Sequence, residues 1–442
     1  MRQYIDLLRN NRNFTYLWLA QVVSLLGDWF NTIALSALVA RFTDGSGIAI
    51  SVFLMARFLP PLIVGPFAGV LVDRFDRKAI LIYSNILRTG IVLMFLLANS
   101  PDLLWLIYVL TIAQFSVSAL FEPGQSAIIP SLIKRDDFVI ANTLTSITWS
   151  VMLAVGAIIG GIVGALFGTQ IALIIDAMTF AVAAYFIWLI DVPTRAAVPQ
   201  DDEDTDTGSL IGGLQYLRRN PATIAVMLVK GGGSLGNTDT LMTIYATEIF
   251  ILGTDGQLSL GILYSAVGVG AILGPITLNR FNNGAIFRMT QLITIGFALA
   301  VIGWVILGVS TTLVLVAIGL LVRAMGGSAN WTYSSVILQK TVPDRYLGRV
   351  FALDLAAFQL ATVLSIVIHG GLIDLLSQQA TGNNPFVNLH ADSVFSPALD
   401  LLNQLTTSDL FLVTFGTGLV SLVPLIIWIL VMPRIKKRQP VG

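Results

Sequence analysis

Gly69-Val-Leu-Val-Asp73-Arg74-Phe-Asp76-Arg77-Lys78 lies between two long apolar stretches, and its reading decides the fold. Half of its positions are ionisable: Asp73, Arg74, Asp76, Arg77 and Lys78. A charge at mid-membrane costs about 2.5–3.5 kcal/mol on insertion scales, so such a run does not lie in hydrocarbon. With an apolar segment on each side long enough to cross a bilayer, it is a tight loop at one membrane face.

Composition places the whole chain in the same class. Apolar residues make up 55% of its 442 positions and charged residues only 11%. Mean hydropathy is +0.83. These values lie outside the range of soluble domains. A net charge of zero gives no electrostatic case for nucleic acid. With no cysteine, disulfides, thiolate metal sites and cysteine nucleophiles are excluded. Met1 to Asn13 is polar and basic, and the first apolar run is longer than a signal-peptide core, so no cleavable signal is expected.

A helix needs roughly 20 apolar residues to cross the hydrocarbon. Twelve such segments are expected, at about 14–40, 47–71, 79–98, 104–125, 139–166, 170–190, 222–250, 258–279, 286–307, 311–335, 348–376 and 409–432. An even count puts both termini on one side. Of the 25 Lys and Arg residues, only Arg41 falls in a loop on the far side, and Arg57, Arg88, Lys230 and Arg323 fall deep inside segments, away from their ends. The rest share the face of the termini, which the positive-inside rule makes the cytoplasm.

The charged loop resembles the signature between transmembrane helices 2 and 3 of the major facilitator superfamily, G-x-x-x-D-R-x-G-R-[KR]. Gly69, Asp73, Arg74, Arg77 and Lys78 match it, and Asp76 stands where the pattern has Gly. The resemblance implies an all-α membrane protein of two six-helix halves in pseudo-symmetric repeat, with substrate bound between them. A repeat is visible in the chain itself. At an offset of 209, Leu8-Arg9 recurs as Leu217-Arg218, Leu26-Gly27-Asp28 as Leu235-Gly236-Asn237, and Gly65-Pro66 as Gly274-Pro275. The halves are expected at 1–190 and 222–442. Between them, 191–221 is expected to be a cytoplasmic linker, acidic around Asp201 to Asp206. Its Leu210, Ile211, Leu214 and Leu217 recur at helical spacing, which predicts a short helix on the membrane face.

Polar residues inside lipid are tolerated mainly where they face protein or water. Segment 1 carries Gln21, Ser24, Asp28 and Asn31 on one helical face, and segment 4 carries Thr111, Gln114, Ser118, Glu122 and Gln125. Segment 7 shows Lys230, Ser234, Asn237 and Thr238 with Asp239 beside them, and segment 10 shows Arg323, Asn330 and Ser334. Segments 1, 4, 7 and 10 line the cavity in the resembled fold. Gln21, Ser24, Asn31, Gln114, Ser118, Lys230, Asn237, Arg323, Asn330, Trp331 and Tyr333 are therefore the expected substrate contacts. Helix-to-helix adhesion is the alternative for any one of them. Gly231, Gly232 and Gly233 together penalise a helix by roughly 3 kcal/mol, so segment 7 is expected to bend there, unless the glycines serve close packing.

Asp28 is expected near Arg57 of segment 2, either as an ion pair or as a protonatable coupling group. Asp239 is the second coupling candidate. Glu122 is expected at the inner end of segment 4, where the resemblance implies a pairing with Arg77. Gly69, Asp73, Arg74, Arg77, Lys78 and Glu122 are thus expected to form a conformational latch. Asp176 and Arg88 fall off the expected cavity and read as packing ion pairs.

Segment 5 holds Gly156-Ala-Ile-Ile-Gly160-Gly161-Ile-Val-Gly164, which resembles the G-x-x-x-G-P-x-x-G-G motif of drug/proton antiporters with Gly161 for Pro and Ala165 for the last Gly. The antiporter motif R-x-x-Q-G keeps Gln114 but has Thr111 for its arginine and Phe115 for its glycine. Asn13 to Asp28 and Phe121 to Pro130 narrow the resemblance to the bacterial branch of macrolide-efflux and enterobactin (siderophore) exporters. That branch implies proton-driven export of bulky amphipathic molecules from a monomer in the bacterial inner membrane, with no cofactor and no metal. A lysophospholipid or metabolite transporter of the same fold, with uptake or flipping activity, is the alternative. An enzyme would need a catalytic constellation, yet the chain has only His369 and His390 as histidines. No phosphate-binding loop is present either.

Overall fold

The computed structural model describes residues 2–134, 137–191, 210–234, 236, 238–380 and 409–436. Among these no strand occurs, and the regular structure is helical. In chain order the helices are α1 (Arg2–Asn10), α2 (Arg12–Phe42), α3 (Gly47–Arg74), α4 (Arg77–Met94), α5 (Leu104–Ser118), α6 (Phe121–Leu132), α7 (Phe138–Val151) and α8 (Ala157–Trp188). Then come α9 (Leu210–Arg219), α10 (Pro221–Ser234), α11 (Asp239–Ile244), α12 (Gln257–Asn279), α13 (Ile286–Gly308), α14 (Leu313–Thr341), α15 (Asp344–Ala380) and α16 (Asp409–Lys436). Helices suit lipid because each closes its own backbone hydrogen bonds.

Among the described residues, 10 helical stretches are long and apolar enough to cross a membrane. Two features reconcile that number with twelve expected segments. The stretch Ile140–Trp188 turns at Gly168, where φ is 80°, and so contains segments 5 and 6. Segment 7 is split between α10 and α11, each too short to count alone.

That split corrects the expected position of the bend. Gly231, Gly232 and Gly233 stay helical within α10, and the interruption follows Ser234. A Cβ on Gly232 would lie 3.0 Å from Pro424 of α16, and Gly231 faces Ala357 and Ala361 of α15. Close helix packing offsets the glycine penalty. Segment 4 is likewise broken, at Ala119 and Leu120 between α5 and α6. Pro123 is the cause: it lacks the N–H that would bond the carbonyl of Ala119.

The chain forms two compact units. The first comprises Met1–Gly45, Val52–Gln200 and Met242–Ser265. Its α2 and α4 pack on α8, over a core that includes Phe14, Leu17, Leu81, Phe121 and Ile187. Asn11 caps α2 through Phe14 N at 3.0 Å, and its amide donates to the Leu132 carbonyl at 2.7 Å. The glycines of the antiporter-like run are contact points. A Cβ on Gly156 would lie 2.8 Å from Trp29, and one on Gly161 would lie 2.8 Å from the Gln257 carbonyl oxygen.

The second unit comprises Ser46–Ser51, Asp201–Leu241 and Ala266–Gly442. Its α13 packs on α14 and α16, and its α10 on α14 and α15. Met289, Ile293, Phe297, Tyr333 and Trp428 belong to its core. Asp374, near the end of α15, caps the first turn of α3 by accepting from Gly47 N at 2.6 Å and Ile48 N at 3.1 Å. A carboxylate is favoured at a helix N-terminus, where free N–H groups gather. The predicted linker helix is present as α9, where Leu217 is buried and Leu214 exposed. Tyr216 stacks on Tyr346 at 4.7 Å, which holds α9 against the start of α15. The acidic run Asp201 to Asp206 and residues 381–408 lie outside the described residues.

Candidate functional site

The charged loop is built from α3 and α4. Asp76, which departs from the family pattern, accepts from Ala79 N at 2.7 Å and is the N-cap of α4. A Gly offers no such side chain, so the departure favours a defined start to that helix. Arg77 donates to the Ala127 carbonyl of α6 at 2.8 Å, and Lys78 to the Ile190 carbonyl at 2.6 Å. Arg74 is exposed. Both bonded cations therefore meet main-chain carbonyls. The side chains of Asp73 and Glu122 and the surroundings of Gly69 are not among the described features.

Inside the first unit the polar face of α2 turns toward α4 and α8. Arg88 of α4 binds Asp28 at 2.5 Å and donates to Ser24 Oγ at 3.4 Å. Its guanidinium lies 3.8 Å from the centre of the Phe180 ring. Asp176, wholly buried on α8, completes the group. The absence of a side chain on Gly27 makes room for it, since a Cβ there would come within 2.5 Å of Asp176 Oδ1. This arrangement corrects two expectations. The cation on Asp28 is Arg88, not Arg57, and Arg88 and Asp176 join Asp28 in one cluster. Arg57 instead lies with its guanidinium 4.9 Å from the centre of the Phe115 ring. Arg88 is 2% exposed and Asp28 26%.

Farther along α2, Gln21 accepts from Gln125 at 3.0 Å and donates to the Thr145 carbonyl at 3.5 Å. The offset of 209 carries Gln21 to Lys230 and Thr145 to Asp354. In the second unit those two residues form a buried ion pair, with side chains 4% and 1% exposed. The Lys230 ammonium also lies 4.4 Å from the Trp331 ring centre and 5.5 Å from that of Phe351. Cation–π attraction of this kind grows when the cation is desolvated. Sequence reasoning missed Asp354, although the repeat offset applied to Thr145 points at it.

Arg323 of α14 donates to the Gly236 carbonyl, in the break after α10, and lies 5.2 Å from the centre of the Trp304 ring. Asp239, at the start of α11, is the carboxylate whose charge bears on it. The remaining expected contacts divide by burial. Asn31, Gln114, Asn330 and Tyr333 are buried within their own units, Ser118 is half-buried, and Trp331 is 41% exposed. Asn237 lies outside the described residues. Phe30 and Phe121 are core residues. His369 is buried and bonded to the Ser365 carbonyl at 2.6 Å and to Thr417 Oγ1 at 2.7 Å. Among the described residues no group of acidic or histidine side chains has the arrangement of a metal site.

Known proteins match this architecture. The chain is 27% identical over 378 residues to the uncharacterized MFS-type transporter YfiS of Bacillus subtilis (strain 168), covering 83% of this chain and 88% of that one. It is 24% identical over 381 residues to macrolide efflux protein A of Streptococcus pyogenes, covering 82% and 89% respectively. A solved bacterial homologue of the human lysosomal transporter Spinster superposes with a TM-score of 0.72 at 13% identity, over 97% of this chain and 99% of that one. The model of the Major Facilitator Superfamily matches residues 17–381. A multi-pass helical chain with the superfamily's loop between α3 and α4 and this match over most of its length belongs to the Major Facilitator Superfamily.

Proposed function

We propose that the protein is a secondary active exporter of bulky amphipathic small molecules, driven by proton antiport through alternating access. The observation that carries the reading is Asp28, a partly exposed carboxylate held by the buried Arg88 within the apolar span of α2. An intramembrane charge of this kind is expensive to keep and marks a transported ion or its coupling group. Similarity to a protein named for macrolide efflux supports the outward direction and the amphipathic substrate class. Asp239 near Arg323 is the second coupling candidate. Lys230, Trp331 and Ser118 are the foremost substrate contacts, since each is near a charge or retains exposure.

Accumulation of a compound panel in efflux-deficient cells tests the reading. Expression should lower the retained amount of at least one amphipathic compound, and a protonophore should restore it. Unchanged accumulation across the panel, or export indifferent to the protonophore, speaks against it. Orientation is tested on this naturally cysteine-free chain by cysteine labelling. Asp201→Cys should be reached by an impermeant maleimide only after the cells are opened, and labelling from outside intact cells would reverse the topology.

The loop is proposed to act in conformational switching. Arg77→Ala removes the bond to the Ala127 carbonyl, and at an exposed site that loss is worth about 1 kcal/mol or less. Arg77→Ala and Asp73→Asn should therefore leave melting behaviour and substrate binding near wild type while transport falls more than about tenfold, a barrier change of about 1.4 kcal/mol. Equal loss of binding and transport in a folded variant would make the loop part of the binding site instead.

A further inference from the structure

Asp176 adds a second carboxyl to the Asp28–Arg88 pair, and the charges of that group do not balance. Asp28 and Asp176 are two acids, and Arg88 is the one cation among the side chains that bear on Asp176. Asp176 is 0% exposed, and no well-formed hydrogen bond reaches its carboxyl oxygens, although the Asn31 amide and the Thr179 hydroxyl stand close enough to bear on its charge. Thr179, one turn away, gives its hydroxyl to the Asp176 carbonyl at 2.7 Å instead. Asn31 lies alongside with its own amide nitrogen buried and without a partner. A fully buried, unsolvated carboxylate is tolerated only with a counter-charge or a proton. Arg88 has its short bond to Asp28, so it cannot neutralise both acids at once.

We propose that Asp28, Arg88 and Asp176 form a site for one proton, which resides on Asp176 while Arg88 holds ionised Asp28. When Arg88 transfers to Asp176, the Asp176 proton passes to Asp28, the partly exposed acid, which can exchange it with the surroundings. The group then holds one proton before and after, and no charge is stranded. Arg88 is suited to the exchange because the Phe180 ring supports its flat face while its edges stay free to bond either acid. The α8 helix would thereby register the protonation state of Asp28 on α2. The other cations of α2 and α4 bond elsewhere: Arg12 to the Tyr16 hydroxyl at 2.6 Å, Arg41 to Asp255 at 2.8 Å, Arg77 to the Ala127 carbonyl and Lys78 to the Ile190 carbonyl.

The role of this site in transport rests on the antiport reading, whereas its proton count rests on the geometry alone. Infrared spectroscopy of the purified full-length protein reads that count through the C=O stretch of protonated carboxyl groups. Wild type should show one such band from this cluster at neutral pH. Asp176→Asn should lose it, and Asp28→Asn should lose it too, because Arg88 then holds Asp176 as a carboxylate. Arg88→Gln should raise it about twofold, with both acids protonated. Three variants with three distinct spectra keep the test usable if one of them fails to fold. A band that survives in Asp176→Asn, or that survives in Asp28→Asn, overturns the proposal.

The transport arm uses the pH dependence of export. Asp176→Asn leaves Asp28 as the one acid available to Arg88, so protonating Asp28 strands the cation, and the pH midpoint of export should move at least one unit lower. An unchanged midpoint in a folded Asp176→Asn variant overturns the coupling role. Wild-type export that responds to neither pH nor protonophore removes the antiport reading, and the infrared count still decides where the proton sits.

Discussion

Asp28→Asn is expected to abolish proton-driven export while the protein remains folded and inserted. The carboxylate is the partly exposed member of the cluster, so it is the group that a proton or a substrate can reach. Its neutral replacement keeps the shape and removes the titration. Stranding a buried charge by deleting its partner ordinarily costs about 3–5 kcal/mol. Here Asp176 stands beside Arg88 to take the charge, so the loss of stability should be smaller than that, as read by thermal unfolding in detergent. The double variant Asp28→Asn with Arg88→Gln separates coupling from pairing. If Asp28 only neutralises Arg88, removing both charges restores export. On the present account the double variant stays inactive.

Lys230→Met is expected to be the most destabilising single change in the second unit. It leaves Asp354, 1% exposed, without its cation, a loss of about 3–5 kcal/mol that should lower both yield and melting temperature. The first unit supplies the rescue. At the equivalent position Gln21 donates to the Thr145 main-chain carbonyl, with no charge on either residue, so Lys230→Gln with Asp354→Thr installs the first unit's uncharged residues in place of the ion pair. Replacing both charges avoids an unpaired buried ion, and most of the stability should return. Export should remain reduced more than about tenfold, because Lys230 and its Trp331 face are proposed to contact substrate. A double variant that is stable and fully active would leave the pair with a structural role only.

Much of this architecture was legible in the sequence, and the failures have physical causes. The charged loop and the apolar segments fix where the chain leaves the membrane, because hydrocarbon excludes charge. The polar periodicity on α2 correctly joined Gln21, Ser24, Asp28 and Asn31 on one face. It could not say which neighbour that face meets. Arg57 was expected opposite Asp28 because segments 1 and 2 are adjacent in the chain, but adjacency does not orient a side chain. Arg57 meets Phe115, and the cation that reaches Asp28 comes from α4. Asp176 was assigned to packing because it sits off the expected cavity, yet Gly27 opens a path for it to the same cluster. Asp374 carried no signal at all. Its role as the cap of α3 depends on a contact spanning 327 positions to Gly47.

The antiport claim is tested most directly by proton movement in proteoliposomes of the purified chain, read with a trapped pH-sensitive dye. A macrolide, a catecholate siderophore and an amphipathic cation are added in turn, and compound and proton fluxes are followed together. The account predicts that at least one of them moves with an opposing proton flux in wild type, and that Asp28→Asn abolishes that flux. Movement of a compound without any proton flux in wild type, or an undiminished flux in Asp28→Asn, would contradict it.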